Sequence, residues 1–291
     1  MSPANFVRKA LIGRVRARFN DLDRGERPVE RSDNALFAPD SVAWRVHGDV
    51  TTMMVGGISA LLVEMLHPLA LGGVWDHSNV ASDMVGRLRR TARFIALTTF
   101  GERQAAEAAI ARVRSIHGQV QGSLPDGSAY RADDPALLAW IHVAGSLQFL
   151  DGWRRYGEPG LSAADQDRYF AEVAQIARML GADSVPETRA AAEALVMRFR
   201  PELRNDERTG AFRRLVLDAP APSLSEAPLQ RLLMAAAVDL MPEWARTMHG
   251  LRAPIVARPA VRGATFGLAG TLRWAFAGRV ERADEKRHPR G

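Results

Sequence analysis

The chain has 291 residues, 47% of them apolar, so it can bury a full core as one large or two small domains. It has no cysteine, which excludes disulfides, thiolate haem ligation, covalent c-type haem attachment and cysteine-based zinc sites. The net charge is +6, with much of the excess arginine at the two ends, which points to an anionic surface as a partner rather than an acidic substrate. Many Ala, Leu and Arg residues and few β-branched runs predict an all-α protein.

Three regions follow: residues 1–40, a basic amphipathic helix and loop; 41–255, a helical body with one core; and 256–291, a last helix and basic tail. In the first, Phe6, Val7, Ala10, Leu11, Val15 and Phe19 alternate with Arg and Lys over 4–20. This predicts a basic helix without the apolar core or small-residue cleavage site of a secretory signal. It is suited either to packing on its own domain or to lying on an anionic membrane. The expectation is therefore a cytoplasmic protein, with peripheral membrane contact as the variant and no nucleic-acid partner. Residues 21–40, with Pro28 and Pro39, read as a loop.

Residues 51–74 are the most apolar stretch and approach the length of a membrane span. Glu64, His67 and Pro68 interrupt it, so the favoured reading is a buried helix of about 53–66 ended by His67-Pro68. Glu64 and His67 stand three apart on it and read as a polar pair, with His67 also a pocket candidate. Asp76, His77 and Ser78 follow in an expected loop. Neighbours in sequence rarely supply the convergent geometry of a catalytic triad, so a hydrolase is disfavoured.

Residues 82–122 predict two helices joined at Phe100-Gly101. Arg87, Arg90 and Thr91 share a stripe of the first, capped by Ser82 or Asp83. Ile110, Val113, His117 and Val120 recur along the second, so His117 lies on an apolar face, where it must find a partner or coordinate something. A hydrogen-bonded core histidine satisfies the same pattern. SLPDGS (123–128) is a turn. A helix starts at Asp133 or Asp134, with Pro135 in its first turn, and carries His142 on a face with Leu138, Ile141, Gly145 and Phe149. His142 reads as a rival ligand, a core histidine, or a group orienting the site. Ser162 and Gly181 bound a helix over 161–181, whose Glu172 is expected to pair with a buried arginine such as Arg87. Further helices are expected at 187–200, 228–241 and 259–281, followed by a solvated tail.

Eight stretches carry a resemblance: WRVHGD (44–49), ALLVEMLHPLALGGVWDHS (60–78), RLRRTARF (87–94), FG (100–101), VRSIHGQVQG (113–122), YRADDPALLAWIHVA (130–144), DRYFAEVAQIARMLG (167–181) and LMPEWAR (240–246). In this order and spacing the chain resembles the family that groups latex-clearing protein (rubber oxygenase) with the oxygenase of the mycophenolic acid pathway. The resemblance implies globin-like helical packing and a haem b whose iron is held by His117, with dioxygen on the far side. It also implies that Arg87, Arg90 and Thr91 match an Arg-x-x-Lys-Thr motif lining the oxygen side. The departure is Arg90 in the lysine's place. Arginine stays protonated, so a lysine-capped iron is not carried over. The implied function is a haem-b-dependent oxygenase acting on an apolar, isoprenoid-like substrate. The alternatives are a non-catalytic haem- or lipid-binding protein docked at a membrane, and a member without haem.

Overall fold

A computed structural model describes residues 3–19, 26–80, 82–253 and 255–287. Among these, α-helix dominates, and the only sheet is one short hairpin, so the all-α expectation holds. The helices are α1 (Pro3–Phe19), α2 (Val42–His47), α3 (Val50–Glu64), α4 (Pro68–His77), α5 (Met84–Phe100), α6 (Arg103–His117) and α7 (Pro135–Tyr156). They continue as α8 (Ala163–Leu180), α9 (Arg189–Phe199), α10 (Glu207–Leu217), α11 (Ala227–Leu240), α12 (Glu243–Met248) and α13 (Arg258–Arg287). The SLPDGS turn closes a hairpin of β1 (Gln121–Ser123) and β2 (Ala129–Arg131), with Gly127 at φ +86° supplying the left-handed bend.

The centre is the pair α3 and α7. Both are apolar on most of their circumference, and small residues let their backbones meet. A methyl group on Gly56 would stand 2.9 Å from the Gln148 carbonyl oxygen, and one on Gly152 would stand 3.0 Å from that of Thr52. Ser59 Oγ donates to Gln148 Oε1 at 2.7 Å, satisfying two polar groups in the core. Trp140, Leu62, Leu66, Leu150 and Phe170 are among the buried side chains packed around this axis.

The capping chemistry expected from sequence is present. Asp83, Asp134 and Ser162 each accept a hydrogen bond from the backbone amide three residues on, and Gly181 ends α8 at φ +103°. Two boundaries differ. Asp76 and His77 belong to the end of α4 rather than to a loop, because Pro68 opens a new helix and Gly72 fits where a side chain would strike Leu124 and Tyr130. α13 continues to Arg287, since 281–287 contains only helix-compatible residues before Pro289; the expected tail beyond 287 lies outside the described residues.

No single described helix is long and apolar enough to cross a membrane. α3 and α4 reach that length together but turn through 105° between them, and most of α3 is buried in the protein core.

Candidate active site

Glu64 is the one ionisable residue of α3, and it sits in the last turn. Its Oε1 lies against Gly145 of α7, where an added methyl group would come within 2.9 Å, and its carbonyl accepts from Trp140 Nε1 at 3.0 Å. Burial pushes the carboxyl up to about 7, opposed by the positive charge of Arg87 on α5. Burial also lowers the pKa of the Arg87 guanidinium, Glu64 counters this, and Arg87 Nε has no hydrogen-bond partner.

His117 closes α6, followed by Gly118 as cap. Burial lowers its pKa, Asp133 works the other way, and Arg87 adds to the lowering. Its Nδ1 is buried without a partner. Arg87 is thus the charge shared by His117 and Glu64.

A second group lies on the same face of α7. His142, Gly145 and Phe149 are spaced i, i+3 and i+7, so the face that meets Glu64 also carries His142. Burial pushes His142 down to about 4, with Arg178 adding to the effect, and its Nε2 has no partner. His47 of α2 is pushed down to about 3 by burial and by His142. Its Nδ1 lies 2.8 Å from Thr99 Oγ1 and its Nε2 3.0 Å from the Tyr169 hydroxyl, while the Phe149 ring meets it edge-on at 5.8 Å. Glu64, His47 and His142 are each half-buried, and burial is the largest influence on all three.

The expected residues divide. Arg87 and His117 come together. Arg90 does not join them: it is exposed and paired with Asp83 at 3.1 Å, and Thr91 is exposed beside it. On the helix wheel Arg87 falls between Arg90, about 60° to one side, and Thr91, about 40° to the other, so the half-buried guanidinium is flanked by two exposed side chains. His67 is buried elsewhere. It stacks among Trp140 and Phe199 and reaches Glu202 at 3.4 Å, so it does not pair with the Glu64 side chain. Glu172 does not reach Arg87. It accepts from the amides of Val42 and Ala43 at the start of α2 and pairs with Arg168. Asp76, His77 and Ser78 form no triad: the Tyr130 hydroxyl bonds Asp76 at 2.8 Å and lies 3.1 Å from His77 Nε2, while Ser78 donates to the Val74 carbonyl.

Glu64 as a site group and His47 were not singled out from sequence. Glu64 had a signal, being the lone charge on an otherwise apolar helix. His47 had only its place in WRVHGD.

An all-α protein with a buried carboxyl pushed up to about 7, a guanidinium beside it and imidazole nitrogens without partners has the makings of a redox or acid–base enzyme. Residues 44–274 match the family described as ER-bound oxygenase mpaB/B'/Rubber oxygenase, catalytic domain. The chain belongs to that family of oxygenases. No curated protein and no solved structure matches the chain.

A haem suits these residues. No group of three or more His, Asp or Glu side chains able to hold a bare metal occurs among the described residues. Haem iron needs only one or two axial ligands from the protein, because the porphyrin supplies the rest. His117 meets that need: a ring held neutral by burial, with a nitrogen that no protein group occupies.

Proposed function

We propose that the protein is a haem-b-dependent oxygenase acting on an apolar, unsaturated small molecule, with His117 as the iron ligand and peripheral contact with a membrane. The observation that carries the reading is the conjunction of the unpartnered His117 nitrogen with Arg87 and Glu64 in a buried setting. Globin-like packing around the cofactor belongs to the same proposal. When bound, haem would supply the redox chemistry that activates dioxygen.

The chain's own residues have separable parts in it. His117, whose burial favours the neutral ring, would offer a lone pair to the iron. Arg87 would offer N–H donors to negative charge arising beside it. Glu64, its carboxyl pushed up to about 7, is divided between protonated and ionised forms at neutral pH and can give or take a proton. Phe149 and the apolar faces of α3 and α7 exclude water and bind substrate by burying apolar surface, worth ~25 cal/mol per Å² before costs. Arg90 and Thr91 are exposed neighbours of Arg87 on the same stripe of α5.

Titration with hemin tests the proposal without turnover. The unmodified chain should develop a strong Soret band, His117→Ala should lose it or hold haem weakly, and His142→Ala should leave it nearly intact. A chain that takes up no haem sinks the cofactor assignment, and loss only in His142→Ala moves the ligand to α7. Reduced, haem-loaded protein given oxygen with polyprenyl and unsaturated fatty lipids should then yield aldehydes or ketones by mass spectrometry. Haem uptake without such products favours a non-catalytic haem-binding protein.

A further inference from the structure

Positive charge is concentrated on two helices that pack against each other. α1 carries five Lys and Arg residues and no acid, and residues 251–277 carry four arginines and no acid. The rest of the chain has 30 basic residues against 33 acidic ones, so the net charge of +6 arises from these two stretches. Arg8 of α1 lies over the Trp274 ring of α13 at 4.5 Å, fixing the two helices side by side.

Large apolar side chains are exposed on both elements. Ile255 is 77% exposed and Val256 91%, in the 3-10 turn that leads into α13; Phe6 on α1 is 65% exposed. Next to that turn, Arg258 and Arg262 share one counter-ion with Arg155 of α7: the buried Asp239 carboxylate, at 3.3, 2.7 and 3.2 Å. Three guanidiniums on a single carboxylate leave positive charge unbalanced, and the side chain of Arg262 remains 45% exposed. Arg252, on the other flank of the turn, is exposed as well. An aliphatic tip between arginines complements the interface of a bilayer with anionic headgroups: apolar side chains enter the acyl boundary while guanidiniums meet phosphates.

We propose that the Ile255–Ala257 turn and the start of α13 form a docking surface for anionic lipid bilayers, with Ile255 and Val256 inserting and Arg252, Arg258 and Arg262 contacting phosphates. This gives the peripheral membrane contact of the proposed function a location and a lipid charge, and it rests on that part of the reading alone. Docking needs no haem, so the test is run on the chain both with and without hemin, and its failure leaves the cofactor assignment standing.

The full chain is sedimented with vesicles of phosphatidylcholine alone and of phosphatidylcholine with phosphatidylglycerol, at low and high salt. Binding should require phosphatidylglycerol and weaken as salt screens the contact. Ile255→Ser/Val256→Ser should bind at least about tenfold more weakly, and Arg252→Glu should weaken binding too. Both changes fall on exposed side chains, so helical circular dichroism and melting temperature should stay unchanged. Equal binding to pure phosphatidylcholine, no binding at low salt, or full binding by the double variant would overturn the proposal. So would a dimer in sedimentation velocity that the double variant converts to monomer, because the face would then belong to a second copy of the chain.

Discussion

Gly56 of α3 and Gln148 of α7 approach so closely that a single methyl group on the glycine would stand 2.9 Å from the glutamine's carbonyl oxygen. The obstacle is backbone, which cannot swing aside. Gly56→Ala should therefore destabilise the protein by about 1–3 kcal/mol despite alanine's better helix propensity. Gly57→Ala, where the nearest atom is the tip of Phe149 at 3.5 Å, should be neutral or slightly stabilising. Denaturant melts of the two variants check the contrast.

Glu64 gives stability a slope near neutral pH. Its carboxyl is raised to about 7 in the folded protein, above its value in the unfolded chain. Between the two values the folded state holds a proton that the unfolded state has lost, so stability falls as pH rises through this window. Glu64→Gln should match the parent at pH 4 and be more stable at pH 8, by on the order of 2–3 kcal/mol. Identical melting temperatures for the two proteins at pH 8 would show that Glu64 is not desolvated.

His47 and His142 act in the opposite direction. Both are lowered, to about 3 and about 4, because burial disfavours the charged ring. Below the ordinary histidine value the unfolded chain takes up protons that the folded chain refuses, so stability is lost as pH falls from about 6.5 towards 4. His142→Gln should flatten this acid limb, seen as a smaller drop in melting temperature between pH 7 and pH 4.5.

Arg87 and Arg90 should respond differently to truncation. Arg90 holds an exposed ion pair with Asp83, of a kind worth well under about 1 kcal/mol. Arg90→Ala should leave both stability and hemin affinity nearly unchanged. Arg87→Ala removes the charge opposite Glu64, so the Glu64 carboxyl should titrate at still higher pH and hemin uptake should change. Infrared titration of the carboxyl band follows the first effect. Equal responses from the two variants would place Arg90 in the site.

Helix positions were legible because their signals are local: Asp83, Asp134 and Ser162 cap the helices that follow them, and Pro135 and Gly181 mark an entry and an exit. The difference in exposure between Arg87 and its neighbours Arg90 and Thr91 was not, because a stripe fixes which residues are neighbours but not how deeply each is covered. Glu172 shows the limit most clearly. Its partners are the amides of Val42 and Ala43, 130 and 129 residues away, and no periodicity in α8 reports a helix start arriving from so far along the chain. Glu64 lay between: its isolation on an apolar helix was visible, but its opposite charge came from α5 rather than from His67 on the following turn.

The fully buried residues of α5 are confined to its last turn, at Thr98, Thr99 and Phe100. That end is held by the Thr99 contact with His47, by Trp44 against the Phe100 ring at 5.1 Å, and by the Ser32 amide on the Phe100 carbonyl. The other end, which carries Arg87, is only half-buried. α5 is thus covered most deeply at Phe100, while α3 and α7 meet through close backbone contacts. Arg87 therefore stands on the less deeply covered part of its helix, and solvent reaches that end of α5 more readily than the end at Phe100.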